Sequence, residues 1–101
     1  MKYRVIVSEA AAREFASHVS FLANVSRNAA RETKNRLVEA LASLTEMPGR
    51  FPYLNEDLIP KNKYHKMYVP DRYLVLYQIR DNTVYVDDIL DCRQDYGWLL
   101  K

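Results

Sequence analysis

The apolar positions of this chain change their period along its length. Lys2–Val7 is rich in Val and Ile and alternates weakly, which predicts a first strand with Tyr3, Val5 and Val7 on one face. From Ser8 the spacing becomes helical. Ala12, Phe15, Ala16, Val19, Leu22 and Ala23 form one stripe, Ser8 is a natural N-cap, Glu9 suits the positive end of the helix dipole and Asn24 is a natural stop. Ser26 caps a second helix to about Glu46, with Ala30, Thr33, Leu37, Ala40, Leu41 and Leu44 inward. Pro48-Gly49 ends it. The segment from Arg50 to Asn62 has no clean period, and its aromatic and aliphatic residues predict a loop wrapped over the core.

From Lys63 the pattern becomes that of strands. Lys63–Val69, Tyr73–Ile79 and Thr83–Leu90 are rich in Tyr, Val, Ile and Leu. Pro70-Asp71 and Asp81-Asn82 separate them as turns. These runs predict a three-stranded antiparallel meander. A two-residue turn at Asp81-Asn82 sets Arg80 opposite Thr83, Gln78 opposite Tyr85, Leu76 opposite Asp87 and Leu74 opposite Ile89. The other face then carries Tyr73, Val75, Tyr77 and Ile79 with Val84, Val86, Asp88 and Leu90, and is the expected core. Segregated strands and helices predict a two-layer α+β fold, one domain over residues 1–101, with the helical hairpin on one sheet face. The other face is expected to expose an apolar strip of Met67, Leu74, Leu76 and Ile89, fit for a partner's helix or added strand.

Composition narrows the function only modestly. The chain has 101 residues, a formal net charge of +2 and a single cysteine, Cys92. That charge permits a nucleic-acid partner without arguing for one. One cysteine excludes an internal disulfide and suits a reducing, cytoplasmic setting. The N-terminal MKYRVIVSEAA has no long apolar run, so neither a signal peptide nor a membrane span is expected. Arg27, Arg31, Lys34 and Arg36 make the second helix basic, a pattern ordinarily solvated.

No phosphate loop, metal-spaced Cys/His cluster or nucleophile elbow occurs, and no metal or cofactor is expected. What remains is a set of polar residues in and after the meander. His65 shares a strand alternation with Met67, and Arg72 begins the middle strand. Arg93 ends the last, with Asp95, Tyr96 and Trp98 in the tail. His65 has the reference pKa for acid–base work, though such a histidine is more often a strand-surface residue than a general base.

The order of elements, the MPGRFPYL loop and the stretch YLVLYQIRDNTVYVDDILDCRQDY resemble the RelE/ParE superfamily, the toxins of type II toxin–antitoxin modules, also known as plasmid stabilisation proteins. The resemblance spans essentially the whole chain. It implies a cognate antitoxin and one of two targets. ParE-like members bind DNA gyrase, whereas RelE-like members are ribosome-dependent mRNA endoribonucleases. For the ribonuclease, the resemblance implies catalysis by His65, Arg72, Arg93 and Tyr96. However, Leu74 stands where RelE-like toxins carry an arginine, and Met67 and His65 stand where they carry basic residues. The middle strand without an internal arginine and the closing Cys-Arg-Gln-Asp-Tyr are similar to the ParE-like branch. The expectation is therefore a gyrase-binding toxin, with the ribonuclease and a non-toxic, antitoxin-binding member as alternatives.

Overall fold

The computed structural model describes residues 2–55, 57, 59–69 and 73–91. Strand β1 (Arg4–Val7) leads into helix α1 (Glu9–Val25), followed by α2 (Arg27–Ser43) and a short 3-10 turn at Pro48–Arg50. Strands β2 (His65–Val69), β3 (Tyr73–Arg80) and β4 (Thr83–Asp91) complete the order. The sheet has four strands in the order β1-β4-β3-β2. The meander is antiparallel as expected, and β1 adds to β4 in parallel, with Arg4 opposite Thr83 and Val7 opposite Val86. This is the α+β arrangement expected from the sequence.

Serines start both helices. Ser8 Oγ accepts from the Ala11 amide at 3.1 Å, satisfying one of the free donors of the first turn. Ser26 belongs to both helices: its own amide donates to the Leu22 carbonyl at 2.8 Å, closing α1, and its hydroxyl accepts from the Ala29 amide at 3.2 Å, opening α2. Asn24 is therefore not the stop, because Ser26 in extended conformation does that work one turn-step later. The helix α2 ends at Ser43, before Pro48. Arg50 reaches back to its end, donating from Nη1 and Nη2 to the Ser43 carbonyl at 3.5 Å, and from Nη1 to the Met47 carbonyl at 2.9 Å.

The inward stripe of α2 is as expected, with Ala30, Leu37 and Leu44 buried and Thr33, Ala40 and Leu41 half-buried. The stripe of α1 is rotated. Ala11, Phe15, His18, Val19 and Leu22 turn inward, whereas Ala12, Ala16 and Ala23 are exposed. The physical reason is size: a face containing Phe15, His18 and Leu22 covers more sheet than one built on alanines.

The core lies between the helices and the inner sheet face. Tyr73, Val75, Tyr77, Val84 and Val86 form it with Met67, Val69 and Ile89, and Tyr3, Val5, Val7, Phe15 and Leu41 pack against it. The hairpin turns at Asp81, which takes φ 54°, and the expected pairs hold from Arg80–Thr83 to Tyr77–Val86. There the register shifts. Leu76 faces Asp88, Val75 faces Ile89 and Leu74 faces Leu90, leaving Asp87 as an unpaired bulge residue. An uninterrupted ladder would drive the Asp88 carboxylate into the core opposite Val75. The extra residue instead turns Ile89 inward and Asp88 and Leu90 outward. Ile89 thus belongs to the main core, and Leu90 to a second cluster on the outer face.

The bulge is held from α1. Ser8 Oγ donates to the Asp87 carbonyl at 3.2 Å, the Ser8 amide donates to the Val86 carbonyl at 2.9 Å, and Gln78 Nε2 donates to Asp87 Oδ2 at 2.6 Å. Replacing Ser8 by Ala removes the helix cap and the bulge contact together. The expected cost is about 1–2 kcal/mol of stability, read as a lower urea midpoint with an unchanged m-value.

Candidate functional site

His65 begins β2, opposite Tyr77. Alternation along β2 places His65, Met67 and Val69 on the helix-facing side, so the residues grouped from sequence do share a face, but it is the buried one. His65 is 7% exposed. Its Nδ1 lies 2.8 Å from the Phe51 carbonyl, which can only accept, so Nδ1 carries the proton. The Tyr53 ring stacks on the imidazole at 4.2 Å between centroids and the Tyr77 ring at 5.3 Å. The imidazole is thus a packed element of the core margin, with one nitrogen committed and aromatic rings stacked against it.

The neighbourhood of His65 explains why. The chain from Pro52 to Leu54 runs along the free edge of β2. The Lys66 amide donates to the Pro52 carbonyl at 2.8 Å, the Leu54 amide donates to the Tyr64 carbonyl at 2.7 Å, and Tyr53 bridges to His65. This cover satisfies donors that an open edge strand would leave to solvent or to another chain. Behind His65, the Tyr77 hydroxyl donates to the Pro48 carbonyl at 2.6 Å in a buried setting. Burial pushes the Tyr77 pKa up to about 12, against a smaller opposing pull from Arg50.

The same loop closes much of the outer sheet face. Leu54, Leu76 and Leu90 are buried together there, with Ile59, Tyr64 and Leu74 packed against them. The expected exposed strip is therefore absent: Met67 is 3% exposed in the main core, Leu76 is 1% exposed under the loop, and Ile89 is 6% exposed on the inner side. Leu74 is half-buried. The chain's own loop, not its helices, covers Leu76, and the bulge at Asp87 moves Ile89. Of the other residues considered for chemistry, Arg72, Arg93 and Tyr96, with Asp95 and Trp98, lie outside the described residues.

What stays open on the outer face is Tyr68 on β2, 57% exposed, and the half nearer β1. Two cross-strand rows lie there, Arg4–Thr83–Arg80 and Ile6–Tyr85–Gln78. Arg4 and Arg80 are exposed, Ile6 is 40% exposed and Tyr85 is 37% exposed. Sequence alternation already put Arg80, Gln78, Thr83 and Tyr85 on one face. It gave no sign that β1 would bring Arg4 and Ile6 beside them. Among the described residues no cluster of His, Cys, Asp or Glu could hold a metal ion, and no helix is long and apolar enough to cross a membrane.

The family model described as the ParE toxin of the type II toxin–antitoxin system parDE matches residues 5–96. The chain belongs to the ParE toxin family. This ParE-family chain is similar in structure to a chain of the chromosomal ParDE TA system from P. aeruginosa, with a TM-score of 0.71 over 89% of this chain and 96% of that one. At 8% identity that likeness speaks for the fold alone. No curated protein matches the sequence.

Two features of this toxin's sheet have consequences for its pH response. Tyr77 is protonated in the fold up to about pH 12 but titrates near 10 when unfolded. Its contribution is therefore complete below pH 10 and is lost as pH rises from 10 towards 12. Tyr77→Phe should cost about 1–3 kcal/mol at neutral pH, because the Pro48 carbonyl loses its donor. The gap to the unsubstituted chain should narrow above pH 10 in a series of urea melts. Asp88 has its pKa raised, first by burial and then by Glu14 and Asp87. Its charged form opposes folding at neutral pH, so Asp88→Asn should raise the urea midpoint at pH 7, with the gain shrinking as the pH is lowered and the carboxyl protonates.

Proposed function

We propose that this ParE-family toxin arrests growth by binding DNA gyrase in the cytoplasm, and that a cognate antitoxin neutralises it. The family match across residues 5–96 supports a toxin. The observation that favours binding over RNA cleavage is the environment of His65. A ribonuclease acting through a 2′-hydroxyl needs a base within hydrogen-bond reach of that group. His65 donates from Nδ1 to the Phe51 carbonyl and stacks between Tyr53 and Tyr77. A substrate would have to displace the loop that covers it. Among the described residues, the other basic side chains of these strands, Lys66 and Arg80, lie on different strands, β2 and β3. The net charge of +2 also gives little of the cationic field that contact with ribosomal RNA rewards.

The test is induced expression in a bacterial host, with translation, mRNA integrity and the DNA-damage response followed in parallel. The expected outcome is a damage response while protein synthesis initially continues, and inhibition of gyrase supercoiling by the purified chain. Early mRNA cleavage would overturn the reading in favour of a ribonuclease. Growth without any defect would make the chain a fold that has lost its toxicity. His65→Gln should lower stability while any folded fraction still arrests growth.

A further inference from the structure

We propose that the open half of the outer sheet face, centred on Tyr85 and Ile6 and flanked by Arg4 and Arg80, is the surface with which this toxin grips its target. The partner it fits is an acidic protein surface with an apolar residue at its middle. This rests on the reading of the chain as a toxin that acts by binding.

Topology isolates the surface. The helices cover the inner sheet face, and the loop through Leu54, Ile59 and Tyr64 covers the outer face over Leu74, Leu76 and Leu90. Apart from Tyr68 at the far edge on β2, the rows Arg4–Thr83–Arg80 and Ile6–Tyr85–Gln78 remain. Adjacent strands are about 4.8 Å apart, so the backbones of Arg4 and Arg80 flank β4 at about 10 Å. Two arginines thus stand on either side of Thr83, in the row next to the Ile6–Tyr85 pair. The Arg80 guanidinium lies 5.9 Å from the centroid of the Tyr85 ring, which holds both side chains on the surface.

Charge selects the partner. Neither Arg4 nor Arg80 pairs with a carboxylate among the described residues. The acid nearest to the second row, Asp87, is bonded by Gln78 Nε2 at 2.6 Å, and Asp81 lies in the turn beyond the arginines. The face therefore offers two unneutralised cations to an incoming group. A planar guanidinium takes a carboxylate in two parallel hydrogen bonds. Tyrosine and arginine are also enriched among the few side chains that dominate protein interfaces. An aromatic beside arginines could serve a nucleic-acid base as well. Two cations do not make the continuous track that a phosphodiester backbone follows, and the Arg80 guanidinium already lies over the Tyr85 ring. A standard interface takes roughly 800 Å² and about 20–30 residues from each partner, so these few residues are the anchor of a larger contact.

The experiment uses the full chain with Arg80→Glu, Arg4→Glu and Tyr85→Ala, and Arg31→Glu on the solvent face of α2 as control. Folding of each is checked by circular dichroism and urea midpoint. Growth arrest on induction, affinity for purified gyrase and affinity for a labelled single-stranded oligonucleotide are then measured. The proposal expects arrest to be lost, and gyrase affinity to fall at least tenfold, in folded Arg80→Glu and Tyr85→Ala, with Arg4→Glu in the same direction and Arg31→Glu unchanged. Arrest that survives in all three folded variants overturns the surface. Arrest lost in the variants, with no gyrase binding by the unsubstituted chain, upholds the surface and removes gyrase as the target. An unsubstituted chain that arrests nothing overturns both. Oligonucleotide binding that disappears in the variants, without any effect on gyrase binding, overturns the protein partner.

Discussion

The contact between Ser8 and the bulge at Asp87 governs the rest of this molecule. One hydroxyl caps α1 and donates to the carbonyl of the residue that β3 leaves unpaired. The neighbouring amide binds the Val86 carbonyl. Strand, helix and bulge thus meet at one residue, which fixes where β1 docks, where α1 starts and which β4 side chains enter the core. Without the shift, Asp88 would oppose Val75 in the interior. With it, Ile89 takes that place and Leu90 becomes available to the outer cluster.

The loop between Arg50 and Tyr64 then decides what the sheet can present. By pairing along the edge of β2 it engages His65, Tyr53 and Tyr77 in one stack, with the Tyr77 hydroxyl on Pro48 behind it. By sending Leu54 and Ile59 over Leu76 and Leu90 it removes half of the outer face from solvent. A histidine available for chemistry and an exposed aliphatic strip are excluded by the same segment. Beside β1 it leaves a small polar–apolar mosaic of Arg4, Ile6, Gln78, Arg80, Thr83 and Tyr85.

The elements were largely legible in the sequence because each rests on a local signal. Ser8 and Ser26 are caps, Asp81-Asn82 is a turn, and the meander alternates cleanly as far as Val86. Legibility failed where the cause is not local. The doublets Asp87-Asp88 and Ile89-Leu90 break the alternation, and they are the trace a bulge leaves. Strict period-2 reading carries straight through them and inverts the end of β4. The stripe on α1 was rotated because alanines count as apolar in a pattern but cover little area in a core. The burial of Leu76 depends on an aperiodic loop crossing the sheet, and the juxtaposition of Arg4 with Arg80 depends on a strand pairing between the two ends of the chain. Neither leaves a periodic mark.

That pairing has a consequence for how the molecule comes into being. β1 finds its partner only in β4, and Ser8 meets Asp87 across 79 positions of sequence. The two helices, joined by the single residue Ser26, can associate as soon as both have been made. The sheet cannot close until translation has passed Asp91. Contacts of such long sequence separation are slow to form and come last in folding. A nascent chain therefore carries a helical hairpin and an unpaired first strand until β4 has been made. The open face between Arg4 and Arg80 does not exist before that pairing, so the surface comes into being together with the finished sheet.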